Sequence, residues 1–200
     1  MTKVKLCGLM SAEDAEYCNA VSPDLAGMIL TPGFRRSVSP EIAKEIRRTL
    51  LSQIPLTGVF VNARVNEIAA YANSGIIQFV QLHGDEDAAY IRNLRMVCTL
   101  PVIKAYRIAV PEDLRHAADS AADIVLLDSG TGTGKTFDHS LLGRFPRPYF
   151  LAGGLSPETV AEAITAHHPY GVDVSSGIET NGRKDFSRMR MFVREVRSLP

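Results

Sequence analysis

The chain has 200 residues, 46% hydrophobic and 22% charged, which is enough apolar material for one packed domain and excludes a disordered chain. Its 22 basic and 22 acidic residues cancel, so nothing in the bulk charge draws it to nucleic acid or to an anionic membrane. Three cysteines, Cys7, Cys18 and Cys98, form no C-x-x-C pair, which excludes a disulfide framework or a zinc-binding pattern and fits a reducing cytoplasm.

Along the chain, short apolar runs recur at 4–6, 25–30, 57–61, 77–82, 102–105, 123–127, 149–152 and 172–174. Their spacing, roughly 20 to 30 residues, suits one strand-helix-turn unit each. Several are continuous, such as Ile124-Val125-Leu126-Leu127, as expected of strands covered on both faces of a parallel sheet. Helix starts lie between them. Ser11-Ala12-Glu13-Asp14 resembles a capping box, with Asp14 for the usual Glu. Ser39-Pro40-Glu41 and Ser156-Pro157-Glu158 each offer a capping serine, a proline at the first helical position and an early acid. Pro111-Glu112-Asp113 opens another helix. Residues 138–144 allow at most two turns. The last helix is expected over 184–197, with Met189, Phe192, Val193 and Val196 on its apolar face. No run approaches the roughly 18 apolar residues of a membrane span. The first residues also lack the apolar core of a signal peptide. A soluble, cytoplasmic protein is expected.

Eight strands alternating with helices close into a barrel or open into a doubly wound sheet, and strand count does not decide between them. Polar placement favours the barrel. Cys7, His83, Asp128, Gly153 and Ser175 each follow a different strand, and a barrel gathers all such ends onto its catalytic face. The expectation is an α/β fold, a single (β/α)8 barrel domain over 1–200.

Two glycine-bearing loops follow the seventh and eighth strands, at Gly153-Gly154 and Ser176-Gly177. Loops at those positions commonly cradle a phosphate with backbone N–H groups. Gly134-Lys135-Thr136 has the look of a P-loop end. However, Ser129 stands where that motif requires glycine, and no long helix follows. Singly, the remaining residues read blandly. Cys7 is a small core hydrophobe, Asp128 a turn cap, His83 a buried ring and Arg36 a solvated arginine. His116, His139, His167 and His168 show no metal-ligand spacing with His83.

Together these segments resemble the phosphoribosylanthranilate isomerase family over the whole chain. Lys5-Leu6-Cys7-Gly8, Phe79-Val80-Gln81-Leu82-His83-Gly84, Leu126-Leu127-Asp128, Gly132-Thr133-Gly134-Lys135-Thr136-Phe137-Asp138, Leu151-Ala152-Gly153-Gly154-Leu155 and Val172-Asp173-Val174-Ser175-Ser176-Gly177 carry the likeness. Met10 and His139 depart from the family pattern, at positions given no chemistry. The resemblance implies an Amadori rearrangement of N-(5-phosphoribosyl)anthranilate, the third step from chorismate to tryptophan, needing no cofactor and no metal. It implies Asp128 as general acid and Cys7 as general base. Arg36 would meet the anthranilate carboxylate. His83 and Asp173 would line the sugar side, and Gly153, Gly154, Ser176 and Gly177 would hold the phosphate. The expected partner is this small phosphosugar, with no nucleic acid and no membrane, for a monomer or homodimer.

Those roles set a condition. At pH 7 an ordinary cysteine is only about 3% thiolate, and an ordinary aspartic acid about 0.1% protonated. The site is expected to lower the first pKa, with help from Lys5 or a helix end, and to raise the second. Rival readings are another phosphosugar barrel (a ProFAR-type isomerase or an indoleglycerol-phosphate synthase), a nucleotide-binding module, and a catalytically dead barrel.

Overall fold

A computed structural model describes residues 1–128, 142 and 145–199. Eight parallel strands close a barrel in sequence order: β1 (Lys3–Leu6), β2 (Leu25–Ile29), β3 (Leu56–Phe60), β4 (Phe79–Leu82), β5 (Val102–Arg107), β6 (Ile124–Asp128), β7 (Tyr149–Ala152) and β8 (Gly171–Val174). The barrel shuts where β1 pairs with β8, with Lys5 beside Asp173 and Leu6 beside Val174.

Helices α1 (Ala12–Val21), α2 (Pro40–Thr49), α3 (Val65–Asn73), α4 (Ala88–Arg95) and α5 (Pro111–Ala118) each follow one of the first five strands. Ser11 Oγ accepts from Asp14 N at 3.2 Å and caps α1. The Asp14 carboxylate reaches back to Met10 N at 2.6 Å, closing the box one residue further out. Ser39 and Asp87 cap α2 and α4 in the same way. α6 (Val160–His167) follows β7, and α7 (Phe186–Arg197) ends the fold. The expected face of α7 is the one buried, with Met189, Phe192, Val193 and Val196 all at most 7% exposed. Each contributes about 1.5–3 kcal/mol by leaving water.

Alternation divides the strand residues into two cores. The larger lies between strands and helices. The smaller fills the barrel, with Leu25, Ile103, Ala105, Leu126, Phe150 and Ala152. Above this apolar plug the interior turns polar, with Lys5, Gln81 and Asp173 buried.

Among the expected boundaries that shift, three have a visible cause. β4 starts at Phe79 rather than 77, because the Gln78 side chain turns aside to accept from Leu56 N and Arg47 Nη1. Ser156 does not open α6. Its carbonyl accepts from both Thr159 N and Val160 N, so a turn precedes a helix that begins at Val160. Lys184 belongs to no helix. Glu179–Thr180 (β9) and Arg183–Lys184 (β10) form a hairpin around Asn181 and Gly182, both at positive φ, and Asp185 then caps α7. The loop at 129–136 and the segment at 138–144, apart from Leu142, lie outside the described residues.

Candidate active site

The C-terminal ends of the strands surround a pocket of about 240 Å³. Cys7, Arg36, His83, Asp128, Gly153, Gly154, Asp173 and Ser176 all line it, beside Gln81, Leu155 and Ser175. Of the residues expected from the sequence, only Gly177 is not on the wall.

Cys7 directly follows β1, with its N–H on Val174 O at 2.8 Å. The chain then turns away through Gly8, at φ +77°. A Cβ there would lie 2.7 Å from both Arg36 Cδ and Ser175 Oγ, so a bare backbone is what lets those two residues approach. Cys7 is 7% exposed. Burial pushes its thiol pKa up, against the pull of Lys5 and Lys184. This differs from the lowered value expected of a base. The loss of water around the sulfur outweighs the nearby ammonium groups.

His83 and Gln81 leave β4 on the same side, two residues apart. Gln81 Nε2 lies 3.2 Å from His83 Nδ1, and His83 Nε2 lies 3.5 Å from Asp128 Oδ2. The acid proposed for the reaction therefore ends a row running Gln81–His83–Asp128. The loop carrying His83 is held by Glu86, which accepts from Asn62 N, Gly84 N and Lys104 Nζ at 2.7 to 2.9 Å.

Arg36 reaches the pocket already engaged. Its Nε and Nη2 donate to Glu179 at 2.5 and 3.2 Å. Arg35 and Lys184 donate to the same carboxylate. A ligand carboxylate must therefore use another edge of the Arg36 guanidinium or displace Glu179. Asp173 is also committed, to Lys5 Nζ at 2.8 Å, and so acts on the pocket as half of an ion pair.

Burial alone would raise the Glu179 pKa, but three cations hold its carboxyl down at about 2. A depressed folded pKa gives stability that is full above about 4.5 and is lost as pH falls toward 2. Glu179→Gln should therefore flatten the acid decline of melting temperature in that window. A variant that follows the parent curve would place the acid sensitivity in other carboxylates.

The loops after β7 and β8 meet closely. Gly153 and Gly154 adopt φ +96° and +67°, and residues Ser176–Ile178 form a short 3-10 turn. Gly177 sits against the Leu155 backbone, with an ideal Cβ only 1.9 Å from Leu155 O. Its part is to bring the two loops together while Gly153, Gly154, Leu155 and Ser176 face the cavity.

Sequence reasoning gave Glu179, Lys184 and Gln81 no role. Asn181-Gly182 was the available signal for the first two. An Asn-Gly pair favours a two-residue hairpin turn, and that turn sets Lys184 across from Glu179. For Gln81, the two-residue spacing from His83 was the clue.

The model of the family described as N-(5'phosphoribosyl)anthranilate (PRA) isomerase matches residues 4–195. The N-(5'-phosphoribosyl)anthranilate isomerase of Endomicrobium trichonymphae is 40% identical, with all of both chains covered. That of Thermoanaerobacter sp. strain X514 is 39% identical at the same coverage. Among solved structures, the phosphoribosyl anthranilate isomerase of Thermotoga maritima superposes with a TM-score of 0.90 at 35% identity over the full length of both chains. A structure of such an isomerase in complex with reduced 1-(o-carboxyphenylamino)-1-deoxyribulose 5-phosphate gives 0.87 at 35% identity, again over both full chains. The chain belongs to the N-(5'-phosphoribosyl)anthranilate isomerase family.

Proposed function

We propose that this chain isomerises N-(5'-phosphoribosyl)anthranilate to 1-(o-carboxyphenylamino)-1-deoxyribulose 5-phosphate, in the cytoplasm, as a step of tryptophan biosynthesis. The observation that carries the reading is one pocket walled by a carboxyl group, a thiol and paired glycine loops. The relative bound to a reduced product supports the ligand class.

In this reading Asp128 delivers a proton to the furanose ring oxygen. The C1–O bond breaks, and the anthranilate nitrogen lone pair forms the C1=N bond of a Schiff base. Cys7, as thiolate, takes the C2 proton. The electron pair left behind forms C1=C2 and neutralises the nitrogen. The C2 hydroxyl of the resulting enol then gives up its proton as C2=O forms, and the C1=C2 electron pair takes a proton at C1. Backbone N–H groups around Gly153, Gly154 and Ser176 hold the phosphate. Arg36, held by Glu179, offers its remaining edge to the anthranilate carboxylate.

Anthranilate fluorescence provides the test. Adding the purified protein to phosphoribosylanthranilate, with chelator present and no cofactor added, should make the substrate fluorescence decay. A flat trace would refute the proposal.

A further inference from the structure

Three strands meet beside the Cys7 thiol. Lys5 precedes Cys7 by two residues on β1, so both side chains enter the barrel. The closing register sets Lys5 next to Asp173 of β8. Its ammonium is fully buried and donates to Asp173 Oδ1 at 2.8 Å. Lys5 also favours the ionised form of the neighbouring Cys7 thiol. β2 contributes Gly27, where a Cβ would fall 3.0 Å from Cys7 Sγ and 3.2 Å from Lys5 Nζ. The missing side chain leaves the thiol and the ammonium room to sit together.

Barrel interiors ordinarily fill with branched apolar side chains. A buried ion pair there is weak support for stability, because desolvation offsets the attraction. A thiolate in a dry pocket faces the same penalty unless a cation adjoins it. We propose that Lys5 is the positioning residue that lets Cys7 ionise, and that Asp173 limits how much of its charge the sulfur receives. The inference rests on Cys7 as the proton acceptor of the proposed reaction. Other charged groups surround the thiol as well. Lys184 on β10 favours its ionisation, Asp173 opposes it, and Arg36, His83 and Asp128 share the pocket wall. Asp173 takes part of the Lys5 charge, and burial pushes the thiol pKa up. A ligand group that draws Asp173 away would release Lys5 to the sulfur.

The test is alkylation of Cys7 by iodoacetamide across pH, read on its own peptide in the full-length protein. Lys5→Met should move the midpoint up by about 1 to 3 pH units, and Asp173→Asn should move it down. Lys5→Met strands a buried carboxylate, so the neutral pair Lys5→Met/Asp173→Asn is measured beside it. Its midpoint should lie above the parent's and below that of Lys5→Met. Lys3→Met, which removes a cation paired with Asp24 instead, should leave the midpoint in place. The pH profile of kcat/KM should shift in the same order. A neutral-pair midpoint at or below the parent's overturns the role of Lys5. A Cys7→Ala protein that keeps its turnover overturns the base reading, whatever the titrations give.

Discussion

Replacing Asp128 by asparagine should lower kcat for phosphoribosylanthranilate by about 100- to 10,000-fold, the usual worth of a positioned proton donor, while KM changes little. The substitution keeps the side-chain shape and removes the transferable proton together with the charge facing His83. The fold has no reason to suffer. Asp128 is held through its backbone, in register with Ala152 of β7 and accepting Ile108 N at 3.0 Å. A loss of kcat and kcat/KM in equal measure is what an interaction made only in the transition state predicts. Near-normal turnover at saturating substrate would remove Asp128 from the role of acid.

Gly177→Ala should damage the protein more than its one added methyl suggests. The new Cβ would meet Leu155 O at 1.9 Å and Leu155 C at 2.9 Å, both backbone atoms with no rotamer to yield. The two loops must part. A cost of about 3 kcal/mol, the upper end of overpacking losses, lowers Tm by about 6–12 °C in a chain of this size. Since Leu155 lines the pocket, the parting also moves the proposed phosphate cradle, and KM should rise. Gly75→Ala is the comparison. Its φ of +72° strains any side chain, but among the described residues nothing lies within 4 Å of the new atom, so it should cost only about 1 kcal/mol. Equal melting temperatures for the two variants would mean that the close approach at Gly177 is not what the residue is for.

Much of this architecture is legible in the sequence. All eight strands fall where apolar runs predicted them, within one or two residues at most ends, because a strand covered on both faces leaves a continuous apolar trace. Cys7, His83 and Asp128 were legible as site residues because each directly follows such a trace. What escaped has a common physical cause. Lys5, Glu86, Lys104, Glu179 and Lys184 are buried or nearly so, yet a buried charge has the same letter as a solvated one. Only the partner across the barrel or hairpin distinguishes them, and that partner is set by topology; for Lys5, whose help to Cys7 was expected, it is the Asp173 partner that escaped. The direction of the Cys7 shift escaped for a related reason. Lys5 was visible two residues away, but the desolvation opposing it depends on how tightly the strands close. Gly177 was readable as a loop glycine. That it also spaces two backbones depends on distances between loops.

The pairing of β1 with β8 also bears on synthesis and folding. Lys5 and Asp173 are 168 residues apart. On the ribosome, the first strand emerges with a lysine whose partner exists only after most of the chain has been made. Until then the seam stays open, with a cation at its lip and unpaired strand edges on either side. Such long-range closure is slow and leaves intermediates exposed. Once the seam shuts, the Lys5–Asp173 pair and the Cys7 N–H bond to Val174 O form in the same event. Activity recovered during refolding is then expected to trace closure of this seam rather than the growth of secondary structure.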